Sequence, residues 1–296
     1  MRSLFRGIAG LLIILLFALV ACSPSHSGRI VVGSKNFTEQ VVLAELLAQH
    51  IEARLHVSVD RRFYLAGSYI AHQSLISGRI DLYPEYTGTA LTAILKKPIE
   101  SDRTAVYNIV KSEYEKRFRL RVTEPLGFNN TFAMVMRGDD TRRLHISALS
   151  HAAEYAAQWR LGCGYEFSER PDGLKGLLQT YNLHFAAPPR IMDLGLLYRA
   201  LQEKQVDLIA ANATDGLIAT LDLTMLEDDR HYFPPYEAVS IVREETLRRF
   251  PALQSALDEL HNQISDAEMR ELNYAIDGQH RDVGEVVREF RERKGL

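Results

Sequence analysis

Apolar residues recur along the chain in two alternating rhythms. Short runs such as Arg29-Ile30-Val31-Val32-Gly33 read as strands, and each gives way to a segment with helical spacing. Val42, Leu43, Leu46, Leu47 and Ile51 fall on one helical face, and Asn36 with Glu39 three residues on reads as the capping box that starts it. The same reading predicts a strand at 56–64, a helix at 68–77 and a strand at 80–83. Further on it predicts a buried strand at 132–136, helices at 148–159 and 193–202, and strands at 206–210 and 238–242. From Glu244 the pattern is helical, with Ser265 before Glu268 and Asp282 before Glu285 as N-terminal caps. Strands alternating with helices predict an α/β fold with mainly parallel sheets.

The N-terminus follows a different rule. Arg2 and Arg6 precede an apolar run at 8–20, shorter than the roughly 20 residues of a membrane span, and this is the layout of a signal peptide. It closes on Leu19-Val20-Ala21-Cys22, which resembles the lipobox of bacterial lipoproteins. On that resemblance residues 1–21 are removed and Cys22 is acylated, anchoring the chain to the outer side of a membrane. Residues 22–28 then form a flexible tether. The expected location is extracytoplasmic and lipid-anchored.

With 296 residues, 46% of them hydrophobic, the chain is long enough for one large or two medium domains with real cores. The net charge of -3 and the lack of a basic stripe argue against nucleic acid as a partner. No Gly-x-Ser-x-Gly elbow, Walker A loop or His-Glu-x-x-His occurs, and the ten histidines lack ligand spacing, so neither metal nor cofactor is expected. Asp81 and Glu85 have the spacing of an acid–base pair, but such pairs are more often structural. Cys163 reads as a small buried residue, since Cys22 is assigned to lipid. Nothing in the pattern asks for an enzyme.

One stretch is chemically dense: Asp81-Leu82-Tyr83-Pro84-Glu85-Tyr86-Thr87-Gly88-Thr89. Together with Gly33-Ser34-Lys35-Asn36-Phe37-Thr38-Glu39-Gln40, Pro125 to Phe132, Glu169-Arg170-Pro171-Asp172-Gly173-Leu174, Leu226-Glu227-Asp228-Asp229 and Phe233-Pro234-Pro235-Tyr236, it resembles the osmoprotectant (glycine betaine/choline) substrate-binding lipoproteins of ABC importers. The resemblance spans Arg29 to Leu296. It implies a two-lobe type II periplasmic-binding-protein fold with a ligand cleft between the lobes. Lobe one would be discontinuous, 29–132 and 237–296, and lobe two would be 133–236. The chain would deliver a small solute to the transmembrane subunits of an ABC permease.

A quaternary ammonium has no N–H to donate, so proteins hold it with aromatic faces, each desolvated contact contributing up to about 2 kcal/mol. A betaine carboxylate asks in addition for a cation such as arginine. Carried over by position, the resemblance assigns Tyr86, Phe132, Asn212 and Tyr236 to the cage, and Lys35, Thr89 and Arg170 to the carboxylate. Relatives usually carry tyrosine at the positions of Phe132 and Asn212. Phe132 keeps a ring; Asn212 replaces one with an amide, which favours a polar amine or an amino-acid-like solute as the alternative ligand. A sensory subunit presenting its bound state to a signalling partner is a further alternative. Tyr83 and Trp159 read as packing residues, and Asp215 as a brace for the turn at Gly216.

Overall fold

The structure is a computed structural model and describes residues 28–296. The signal segment, Cys22 and most of the tether lie outside the described residues. The first strand, β1 (Arg29–Gly33), leads through a short loop into helix α1 (Thr38–Leu55). The apolar face of α1 is buried, but the expected capping box is absent: the N-cap is Phe37, with no side-chain cap. The carboxylate of Glu39 is drawn into the interior instead, as described below. His56, in left-handed conformation, ends α1, so β2 is confined to Ser58–Arg62. Helix α2 (Ser68–Ile76) and strand β3 (Leu82–Tyr86) follow, and β3 runs three residues further than the expected 80–83.

Helix α3 (Arg103–Phe118), capped by Asp102, leads to β4 (Leu120–Val122). The chain then crosses to a second sheet through β5 (Phe132–Arg137), β6 (Leu161–Cys163), helix α4 (Tyr165–Glu169), β7 (Arg190–Ile191), helix α5 (Leu194–Gln202), β8 (Leu208–Asn212) and β9 (Leu223–Leu226). It returns as β10 (Ala238–Arg243) and finishes in a run of helices. Two of these are α6 (Asp266–Asp277), which starts with the complete Ser265–Glu268 capping box, and α7 (Val283–Lys294), capped by Asp282. The helix expected at 148–159 is reduced to Leu149–Ala152 and a 3-10 turn at Ala156–Gln158. There Tyr155 and Trp159 stack at 6.0 Å, and Trp159 is buried.

Two five-stranded sheets result, ordered β2-β1-β3-β10-β4 and β7-β6-β8-β5-β9, in the two-lobe α/β fold. They are mixed rather than mainly parallel. β10 runs antiparallel to β3 and β4, and β5 antiparallel to β8 and β9. These are the first strands laid down after each passage between sheets. Each enters its sheet from the side facing the other lobe, against its neighbours' direction. Because β3, β5 and β8 are all buried, their ends deliver Tyr86, Phe132 and Asn212 to the space between the sheets.

Candidate functional site

A cavity of about 400 Å³ lies between the two sheets. The structure brings Lys35, Tyr86, Thr89, Phe132, Arg170, Asn212 and Tyr236 together on its wall. Lys35 and Phe37 come from the loop between β1 and α1, where the N-cap conformation of Phe37 turns its ring onto Tyr86 (6.4 Å, 20° between planes). Tyr86 ends β3, Thr89 lies one turn on, and Arg170 follows α4. Phe132 packs edge-on against Tyr236 at 5.7 Å and against Phe167 at 5.0 Å. Tyr86 and Tyr236 are only 4% and 2% exposed.

The position of Tyr236 depends on a glycine. A Cβ on Gly88 would come within 2.7 Å of both the Pro235 carbonyl oxygen and the Tyr236 ring, so only a bare backbone lets Tyr236 approach the turn after β3.

Both candidate cations are already paired. Lys35 Nζ donates to Glu85 Oε1 at 2.6 Å and to Ser68 Oγ at 3.2 Å, and it lies 4.7 Å from the centre of the Tyr86 ring. Arg170 grips Asp172 with two hydrogen bonds, Nε to Oδ1 at 3.0 Å and Nη2 to Oδ2 at 2.6 Å, and its Nη1 donates to Thr89 Oγ1 at 3.0 Å. Its guanidinium sits over Phe132 at 4.9 Å and near Tyr236 at 5.7 Å. Burial alone would weaken the charge on Arg170, but Asp172 outweighs it and raises the pKa further; the same pairing overcomes burial to hold Asp172 below the usual carboxylate range.

Asn212 lines the cavity with its amide tied to Asp215, at 3.1 Å from the backbone N and 3.4 Å from Nδ2. Asp215 also accepts from Tyr198 Oη at 2.5 Å, and burial pushes its pKa up to about 6. It braces Asn212 as well as the turn. Asp81 and Glu85 do not form an acid–base pair: Asp81 accepts from Val31 N, Thr246 Oγ1 and Arg249, while Glu85 holds Lys35. Tyr83 is fully buried and donates to Glu85 at 3.1 Å, and Cys163 is a buried free thiol whose pKa burial pushes up to about 11.

Sequence reasoning passed over four site residues here. Phe37 and Asp172 sat inside stretches quoted for the resemblance, but their neighbours Lys35 and Arg170 were chosen. Glu166, in the first turn of α4, reaches across to α2 of the other lobe, where Ser68 donates to it from backbone N–H and hydroxyl. Glu39 is the fourth. No local pattern marks either carboxylate as part of the site, because their partners come from distant parts of the chain; Glu39 reads locally only as a capping residue. Among the described residues, no cluster of His, Cys, Asp and Glu is arranged to hold a metal ion, and no helix is long and apolar enough to cross a membrane.

The fold and this cavity define a solute-binding protein, and the comparisons name its family. Residues 28–293 match the substrate-binding domain of ABC-type glycine betaine transport systems, and the chain belongs to that family. It is 32% identical over 299 residues to the ergothioneine transport permease/ergothioneine binding protein of Helicobacter pylori; all of this chain is covered, but it spans only 53% of that protein's length. It is 32% identical to a glycine-betaine-binding protein of Pseudomonas aeruginosa, covering 98% of this chain and 93% of that one. A solved structure described as a glycine betaine/carnitine/choline ABC transporter superposes with a TM-score of 0.75 at 30% identity, over 90% of this chain and 98% of the other. The chain is the extracytoplasmic substrate-binding component of an ABC importer.

Proposed function

We propose that the inter-lobe cavity takes up a small betaine or choline-type osmoprotectant and presents it to the importer's permease. Tyr86, Phe132 and Tyr236 would surround the ammonium, and Arg170 with Thr89 would meet a carboxylate, with Lys35 steering from its ion pair and Asn212 closing the far wall. The observation that carries this is the meeting of three rings and one guanidinium, drawn from both sheets, on one cavity. Contacts from both lobes give a ligand more purchase on the closed state than on an open one, which is what drives closure. Lobe one is assigned to 29–132 and 237–296, lobe two to 133–236, and the anchor to acylated Cys22. The protein would bind its solute without transforming it. Calorimetric titration with glycine betaine, choline, carnitine, ergothioneine and free amino acids tests this; heat from the quaternary ammonium compounds is expected, and silence from all of them would remove the osmoprotectant assignment.

A second reading follows from Asn212. An amide where relatives usually have a ring suits a ligand with a hydrogen-bonding substituent, either a polar amine or a betaine carrying a longer polar group. Asn212→Tyr separates the two: tighter binding of glycine betaine marks a retuned cage, and no change argues against it.

A further inference from the structure

The tyrosines of the cavity share one feature. Tyr86 donates its hydroxyl to Glu39 Oε1 at 2.7 Å, and Tyr236 donates its own to Asp172 Oδ2 at 2.5 Å. Neither hydroxyl has a proton left to donate to a solute. Glu39 is buried at the start of α1 and takes three further hydrogen bonds: from Asn130 Nδ2 at 2.8 Å, Asn273 Nδ2 at 2.9 Å and the Thr214 hydroxyl. Burial pushes the Glu39 pKa up, and the four hydrogen bonds pull it back; all four partners can donate and both carboxylate oxygens accept, the arrangement that favours the ionised form. Asn130 lies in the first crossing between sheets, Thr214 just beyond β8, and Asn273 on α6. One carboxylate therefore ties a cavity ring to both lobes.

A phenol that donates to a carboxylate passes electron density into its ring, and the negative ring faces are what attract a cation. We propose that Glu39 is the positioning residue through which this pocket reads charge, fixing and enriching the Tyr86 ring so that a trimethylammonium is favoured over a neutral group of the same shape. Asp172 acts in parallel on Tyr236 while neutralising Arg170. This rests on the quaternary ammonium reading above.

The test compares glycine betaine with 3,3-dimethylbutanoate, in which a carbon replaces the cationic nitrogen at unchanged shape. Affinities for both are measured by calorimetry in wild type, Glu39→Gln, Tyr86→Phe and the double variant. Glu39→Gln is expected to reduce the betaine-to-isostere affinity ratio by about tenfold, of the order of one desolvated cation–π contact. In the Tyr86→Phe background the same change should shift the ratio less than about twofold, since the hydroxyl link is already gone. Equal loss for both ligands, or the same ratio change in both backgrounds, would reduce Glu39 to a brace between lobes and overturn the inference. Should Glu39→Gln fail to fold, Tyr86→Phe alone decides: phenylalanine keeps an aromatic face, so an unchanged ratio overturns it and a drop supports it. A wild type that binds glycine betaine no better than the isostere overturns the betaine reading, and this inference with it.

Discussion

Glu166 of the second lobe caps a helix of the first: Ser68, at the start of α2, gives it both its backbone N–H and its hydroxyl, the latter at 3.1 Å. The helix supplies no cap of its own, because its N-cap residue is Gly67, and a Cβ there would collide with the Glu166 carboxylate. One orphan N–H at the start of α2 is thus satisfied from the other lobe, which gives the two lobes a specific fastening.

Removing that fastening should open the cleft. Hydrogen bonds to a charged group contribute about 1.5–3 kcal/mol each, so Glu166→Ala is expected to lower the closed-to-open ratio of the ligand-free protein by about tenfold or more. Small-angle X-ray scattering would show a larger radius of gyration without solute, recovering when a saturating ligand is added. A ligand-free radius equal to that of wild type would mean the contact does not set the closed state.

Gly88→Ala sets local and tertiary effects against each other. Gly88 is helical, where alanine is usually the better residue by up to about 1 kcal/mol. Here the added methyl meets a carbonyl oxygen and the Tyr236 ring, both 2.7 Å away. The expected outcome is a fall in melting temperature of a few degrees together with at least about tenfold weaker solute binding. Unchanged binding would show that Tyr236 can shift without cost to the cavity.

Arg170→Lys keeps the charge and loses the fork. Lysine cannot hold both oxygens of Asp172 and also reach Thr89, so about 1–3 kcal/mol is expected to be lost from binding of any carboxylate-bearing solute, about fivefold to 150-fold. Choline, which has no carboxylate, should suffer less. Parallel titrations with glycine betaine and choline check this, and equal losses would place the effect in the fold instead.

Acid sensitivity should trace in part to His72. The ring is buried edge-on against Tyr114 (5.5 Å) and Phe118 (4.7 Å), and burial, helped by the charge of Arg117, pushes its pKa from the ordinary 6.5 down to about 4. Between those values the unfolded chain binds a proton that the folded one refuses. The contribution of His72 is therefore complete above pH 6.5 and is lost as the pH falls toward 4. Urea denaturation at pH 7 and pH 4.5 should show wild type losing roughly 2–3 kcal/mol more than His72→Phe. Parallel losses in the two proteins would contradict the assignment.

Much of the fold was legible because periodicity is local. The stripe from Val42 to Ile51, the Ser265–Glu268 box and the Asp282 cap each depend on residues within a few turns of one another, and each stands in the structure as read. Strand direction was not legible, since β5 and β10 owe their antiparallel setting to the passage between lobes and to no property of their own residues. Glu39 misled for a related reason: its distance from Asn36 satisfies the capping pattern, while Tyr86, Asn130, Thr214 and Asn273, up to 234 residues away, outbid the backbone for its oxygens. In the cavity the residue types could be read, but not their pairing. That Lys35 and Arg170 arrive neutralised by Glu85 and Asp172 is visible only once the sheets are assembled.

The most direct measurement is a crystal structure of the mature protein with glycine betaine bound. The account places the trimethylammonium within about 6 Å of the ring centres of Tyr86, Phe132 and Tyr236, and the carboxylate against Arg170 and Thr89. A betaine found outside the inter-lobe cavity, or held there with its ammonium turned away from all three rings, would contradict it.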